Sequence, residues 1–238
     1  MSNYLTLSND LAREAGLSGA AASISAVTGQ SGQALRVVEW VQRSYKDIQN
    51  RHNWRWLRST WTVNTVASDD TYAFGDCTDD RLAALITRFK CWWPYDECGA
   101  PNVKRYLTSG GVGGEGWMTF LPWSNFRAIY KIGTQNNGQP IHFTIDPQNN
   151  LVIGPKPDAI YTVSGEYQMS AQVLAADGDV PECPSDFHYA IVWHALSKYA
   201  RFSAAPEALA QAEREGARLM RQLEAEQLPQ IALGGPLA

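Results

Sequence analysis

The sequence predicts an α+β protein: an antiparallel helical bundle of N-terminal helices and two C-terminal helices, with an antiparallel β-sandwich or meander domain inserted between them. Three observations carry this prediction. In residues 33–50, Leu35, Val38, Val41, Tyr45 and Ile48 recur at steps of three and four while Arg36, Glu39, Arg43, Lys46 and Asp47 share the other face, the pattern of an amphipathic helix. From Ser59 the apolar period falls to two, the spacing of strands buried on one face. After Pro184 the helical period returns and holds to Gln227. The expected boundaries are 1–57 and 184–238 for the helical part with its C-terminal tail, and 58–183 for the β-rich insert.

Taken in order, residues 5–16 form a short helix with Leu7, Leu11 and Ala15 on one face and Gly16 as its stop. The stretch 17–33, rich in Ser, Gly and Ala, reads as a linker. The long helix then starts near Ser31 to Gln33 and fades around Asn50 to Asn53. It delivers Trp54, Trp56 and Trp61 to the first strand, so these three of the nine tryptophans read as a structural junction between the two parts. In that strand Trp61 and Val63 alternate with Thr60, Thr62 and Asn64.

The run LAALITRFKCWW predicts a strand over Ile86–Trp93. Five glycines between Gly110 and Gly116 match neither GxGxxG nor GxxxxGK[ST], and read as a mobile hairpin tip. Residues 117–133, 140–146, 151–158 and 159–170 read as a meander, with Ile141, Phe143 and Ile145 on one face and Tyr161, Val163, Gly165 and Tyr167 continuing the period. Ser185 or Asp186 then caps a largely buried helix whose polar stripe is His194, Ser197, Lys198 and Arg201. Pro206 opens the last helix, about 22 residues long, with Leu209, Ala212, Gly216, Leu219 and Leu223 as its apolar set. Beyond it, Leu228, Ile231, Leu233 and Leu237 form an aliphatic tail suited to docking on another chain.

Composition narrows the function. A hydrophobic share of 45% and a charged share of 18% are those of a folded chain. The net charge of −4 offers no bulk basic surface for wrapping nucleic acid. No run of about 18 apolar residues is present to span a membrane, and the N-terminus lacks the pattern of a secretory signal, so synthesis in the cytoplasm is expected. Cys77, Cys91, Cys98 and Cys183 show no CxxC pair, and His188 and His194 are six apart, on different helix faces; neither set has metal-ligand spacing. Asp69–Asp70, Asp79–Asp80 and the Asp177-Gly178-Asp179 triplet sit in turns, where Asp is favoured for its bonds to the backbone. With no GxSxG, HExxH or nucleotide loop either, no enzyme and no cofactor are expected.

Several stretches, in order, resemble one known family. They are RSYKDIQNRHNWRWL, then LVIGPKPDAIYTVSGEYQMSAQVLAADGDVPECPSDFHYAIVWHALSKYA, then the closing helix ending EAEQLP. Together these parts of the chain resemble the head-to-tail adaptor, or connector-ring, proteins of tailed bacteriophages. The resemblance implies a non-enzymatic virion protein made in the host cytoplasm and placed at the neck, the head–tail interface. It implies a homo-oligomeric ring, commonly dodecameric, beneath the portal protein, with a tail nozzle, tube or tail-completion protein below. The helical part would surround a channel through which double-stranded DNA passes without sequence-specific binding, and no membrane is involved.

On this reading Leu228, Ile231, Leu233 and Leu237 bind the portal. Contacts between neighbouring subunits fall on the helix faces marked by Arg36, Glu39 and Arg43 and by Glu213, Arg214, Arg218 and Arg221. A ring contact is heterologous, one face meeting a different face of the next copy. The competing reading, drawn from the aromatic loading of the strands, is a carbohydrate- or receptor-binding accessory module of a phage tail. It requires exposed, coplanar Trp or Tyr rings.

Overall fold

The computed structural model describes residues 2–229. Along the chain lie α1 (Tyr4–Glu14), α2 (Gly32–Arg51), β1 (Arg58–Asn64), β2 (Thr71–Tyr72), β3 (Thr78–Asp79), β4 (Ala84–Leu85), β5 (Cys91–Trp93), β6 (Lys104–Leu107), β7 (Gly116–Trp117), β8 (Thr119–Phe120), α3 (Trp123–Tyr130), β9 (His142–Ile145), β10 (Leu151–Gly154), β11 (Tyr161–Gln168), α4 (His188–Ser203) and α5 (Pro206–Gln227). This is an α+β chain, as expected. It divides into two compact units, residues 1–57 with 171–238, and residues 58–170. Residues 171–183, assigned to the β part from the sequence, fall in the helical unit. Their backbone is bonded there: Gln49 and Gln172 exchange bonds of 2.7 and 3.0 Å, and Tyr45 Oη donates to Gln172 Oε1 and accepts from Glu182 N.

In the helical unit α4 is the shared partner, touching α1, α2 and α5. The start of α1 is closed on all sides. Asn3 Oδ1 accepts from Thr6 N at 2.8 Å, while Tyr4 N and Leu5 N donate to the carbonyls of Asp179 and Asp177. These are donors a helix start leaves without an intrahelical acceptor. Residues 17–31, expected to be a linker, are packed instead. Ala21, Ile24 and Val27 are buried, Asn9 bonds Ile24 through both its amide oxygen and its amide nitrogen, and Val27 N donates to Asp177 Oδ1. Small polar residues set the composition of this strap, but two branched aliphatics and two side-chain anchors set its structure.

Helix α2 buries Ala34, Val37, Val38, Val41, Tyr45 and Ile48. The stripe is centred between Val37 and Val41, so Leu35, expected on it, is rotated out and 39% exposed. Helices α4 and α5 form a hairpin whose turn is made by Ala204, in the left-handed conformation at φ 54°, and Ala205, with Pro206 in the first turn of α5. Gly216 of α5 lies against the Cβ of Trp193, where an added methyl would sit in ordinary contact at 3.5 Å.

In the other unit, the large sheet has the order β4-β3-β1-β11-β6-β7, with β5 pairing the far half of β11. β1 and β11, the first and last strands of the unit, pair over the whole of β1, from Arg58↔Gln168 to Asn64↔Thr162. Trp61 and Val63 point inward, as the alternation predicted, and so do Tyr161, Val163 and Tyr167. The small sheet runs β2-β10-β9-β8, with β8 and β9 parallel. One extended stretch serves both sheets: β7 belongs to the large one, Met118 is fully buried, and β8 belongs to the small one.

Three strand expectations are corrected. Of the expected strand Ile86–Trp93 only Cys91–Trp93 (β5) is a strand; β4 ends before it at Leu85, and in the segment between them the Arg88 side chain bonds the carbonyl of Ser170. Residues 123–130, read as part of the meander, form α3. Trp123, Phe126 and Tyr130 recur at helical steps there; Trp123 stacks on Phe126, whose ring tilts against Tyr130. That helix lies on the small sheet at Gly154, where a Cβ would come within 2.8–2.9 Å of the rings of Tyr130 and Phe126. Ile141, expected on the same buried face as Phe143, precedes β9 and is 45% exposed, while Phe143 and its neighbour Thr144 are both buried. The glycine-rich segment forms two short 3-10 turns joining the antiparallel pair β6 and β7.

Candidate functional site

The helical unit carries the residues singled out for contact between copies. Glu39 and Arg43 pair along α2 at 3.0 Å, Glu213 reaches Arg201 of α4 at 3.0 Å, and Arg218 pairs with Glu215 at 2.9 Å. Arg221 donates from Nε to the Ala217 carbonyl, and Arg214 is exposed beside the α4–α5 crossing. Such exposed pairs contribute about 0–1 kcal/mol each to folding, so they do little to hold the helices together. Arg36 lies with its guanidinium 4.4 Å from the ring centre of Phe202, an arrangement the sequence did not suggest.

Around Phe202 a raised apolar patch forms. Phe202 is 58% exposed near the C-terminus of α4; its ring tilts against Trp40 at 5.6 Å, and Trp40 meets Tyr199 edge to face at 5.8 Å. Exposed Leu35 and Arg36 lie on the same stretch of α2. The sequence signal was present but unread: Trp40 sits among Arg36, Glu39 and Arg43 on the face taken as polar, and α4 has more apolar residues than one face needs. A groove of about 640 Å³ opens elsewhere between α4 and α5, floored by Tyr189, Trp193, Ala210 and Leu219 and edged by Asp186, Arg214, Glu215 and Arg218. Tyr189 and Trp193 meet edge to face at 5.7 Å.

A second hollow of about 230 Å³ holds His194, with Arg51, Ser197, Arg201 and Glu213 on its walls. Burial, and then the charge of Lys198, lower the pKa of His194, which favours the neutral imidazole. The surrounding charges are already paired: Lys198 with Asp47, Arg201 with Glu213, Arg51 and His52 with Glu224. Among the described residues no group of three His, Cys, Asp or Glu is placed to hold a metal ion. Asp177 and Asp179 spend their carboxylates on backbone N–H groups, of Val27 and of Ala175 and Ala176. All four cysteines are free thiols, and burial pushes those of Cys77 and Cys183 up to about 12.

The three junction tryptophans separate. Trp54 is fully buried in the helical unit, donates Nε1–H to the Ile48 carbonyl at 2.7 Å and stacks on Trp56 at 4.5 Å. Trp61 is fully buried in the β unit, edge to face with Trp92 at 5.1 Å. Of the aromatic residues in the meander that raised the sugar-binding reading, Phe126, Phe143, Tyr161 and Tyr167 are buried and Trp117 is not. Trp117, 64% exposed, stands at the rim of an open groove floored by Thr62, Thr162 and Ser164. Leu228 ends α5 and is half-buried, whereas Ile231, Leu233 and Leu237 lie outside the described residues.

Unpartnered apolar surface is uneven. Of the sixteen exposed large hydrophobic residues among those described, twelve belong to the β unit, including Leu82 and Leu85 on the β3–β4 hairpin and Leu107, Val112 and Trp117 on the next. No helix among the described residues is long and apolar enough to cross a membrane. Exposed aromatic and aliphatic surface of this kind is what proteins bury against other proteins. A comparison with curated proteins finds no match. The model of the SU10 adaptor protein family matches residues 2–236, nearly the whole chain, and the protein belongs to that family of phage adaptor proteins.

Proposed function

We propose that the protein is a head-to-tail adaptor of the virion neck, forming a closed ring that joins the portal protein to a tail nozzle, tube or completion protein and lets double-stranded DNA pass. The reading rests on membership of the adaptor family over residues 2–236. Two physical features support it. Exposed apolar side chains, concentrated in the β unit, give it surface to bury against other virion proteins. A net charge of −4 suits a channel along which DNA slides, because fixed Lys and Arg on the phosphates would hold it. The helix faces of α2 and α5 supply contacts between neighbouring copies, and the tail from Leu228 onward reaches the portal. Nothing in this role calls for catalysis or a cofactor.

The test is to mix the purified protein with purified portal and examine the product by electron microscopy and native mass spectrometry. A ring of stoichiometric copies seated on one end of the portal is the expected result. A protein that stays monomeric in the presence of portal, with no complex, overturns the proposal.

A further inference from the structure

We infer that the Phe202 patch of one copy seats in the α4–α5 groove of the next copy, and that this head-to-tail contact is the junction that closes the ring. The inference rests on the ring proposed above and names its contact surface.

The geometry of α4 supplies the first reason. Trp193, which floors the groove, and Phe202, which forms the patch, are nine residues apart on one helix. At 100° per residue that is about 900°, two and a half turns, so the two rings leave α4 on opposite sides. The packing agrees: Trp193 lies against Gly216 of α5, whereas Phe202 lies against Trp40 of α2. A raised patch and a groove facing opposite ways cannot meet within one copy. They meet only between copies, and since every copy carries both, the contact repeats from copy to copy and makes a ring where the rotation between copies closes, as the proposed ring requires.

Composition supplies the second reason. Phe202, Trp40 and Leu35 beside Arg36 make up the aromatic-plus-arginine surface typical of the few residues that dominate a protein–protein contact. The groove offers the matching apolar floor of Tyr189, Trp193, Ala210 and Leu219. Charges at the two rims also match. Arg36 and Glu39 flank the patch and Asp186 and Arg214 edge the groove, so each sign has an opposite to meet.

Two substitutions at exposed positions test this in the full-length chain, with and without portal as template. Phe202→Asp removes the patch and leaves the groove; Ala210→Arg fills the groove and leaves the patch. Circular dichroism and melting temperature verify that both variants fold. Each variant alone should need at least about thirtyfold higher concentration than the wild type to self-associate, as for loss of a dominant contact residue. An equimolar mixture should give one-to-one dimers by sedimentation velocity, because the Ala210→Arg copy still has a patch for the intact groove of the Phe202→Asp copy.

If either variant forms rings as the wild type does, this junction is wrong while the ring stands. If both fail but the mixture gives no dimer, patch and groove do not pair with each other, and the inference is overturned. A Phe202→Asp variant that makes rings but loses portal binding assigns the patch to the portal instead. Wild-type protein that never associates, even on portal, overturns the ring and the junction together.

Discussion

Replacing Asp79 by alanine should remove about 3–5 kcal/mol from the stability of the protein, a figure built from the acceptor that is lost. Asp79 is fully buried and accepts from Tyr167 Oη at 2.6 Å, Ser59 Oγ at 2.9 Å, Arg81 N at 2.8 Å and Leu82 N at 3.3 Å. Arg81 and Leu82 are exposed on the hairpin tip, so their N–H groups find water once the carboxylate is gone. The hydroxyls of Ser59 and Tyr167 are buried and find none, at about 1–3 kcal/mol each, and the β3–β4 turn loses its anchor besides. Burial alone would raise the Asp79 carboxyl, but the bonds from Tyr167, Ser59, Arg81 and Leu82 outweigh it and hold the group below its ordinary 3.8.

The sign of the pH dependence follows. A carboxyl whose folded pKa is depressed contributes stability that is present above the unfolded value and lost as pH falls through the folded one. The wild type should therefore exceed Asp79→Ala by a constant margin at neutral pH, and the margin should narrow on acidification below about 4. Urea unfolding of the full-length chain, followed by tryptophan fluorescence at a series of pH values, measures both quantities. An alanine variant within about 1 kcal/mol of wild type at pH 7, or a margin that widens in acid, would refute the reasoning.

Other perturbations reach different parts of the fold. Gly154→Ala places a methyl 2.8–2.9 Å from the rings of Tyr130 and Phe126 and should cost about 1–3 kcal/mol, read as a lowered melting temperature. Trp54→Ala should cost about 3–5 kcal/mol by removing a buried indole, its stack on Trp56 and its bond to Ile48; an unchanged melting temperature with failed assembly would place Trp54 at an interface instead. Toward a thiol reagent at pH 8, exposed Cys98 should react first, while Cys77 and Cys183, held up to about 12 by burial, should react only on unfolding. Deleting residues 230–238 should leave the melting temperature unchanged and abolish portal binding in a pull-down.

Much of the framework was legible because burial imposes a period. Helices α4 and α5 and the β1 and β11 faces follow from spacing alone, down to Pro206 at the start of α5. The misreadings share another cause: side chains that bond backbone leave no period. The strap 17–31 is fixed by Asn9 and Asp177, neither of which differs in sequence from a solvent-facing loop residue. Helix α3 has a helical period, but its aromatic content pointed to a strand, and only the ring of Phe126 against Gly154 shows why a helix fits. On α2 and α4, the charge pattern gave no sign of the exposed Phe202 ring. Phe202 is indistinguishable from a core residue until the fold leaves it 58% exposed.

The pairing of β1 with β11 has a consequence for how such a protein can change. Its first and last strands run side by side from Arg58↔Gln168 to Asn64↔Thr162, so the chain leaves and rejoins the helical unit at neighbouring points, about 5 Å apart. A segment of that kind behaves as a cassette. It asks of its host only what a tight turn would ask, and its hairpins can be lengthened, shortened or exchanged without moving the helices. Residues 58–170 can thus change in length or surface at the cost of a single pair of neighbouring chain crossings.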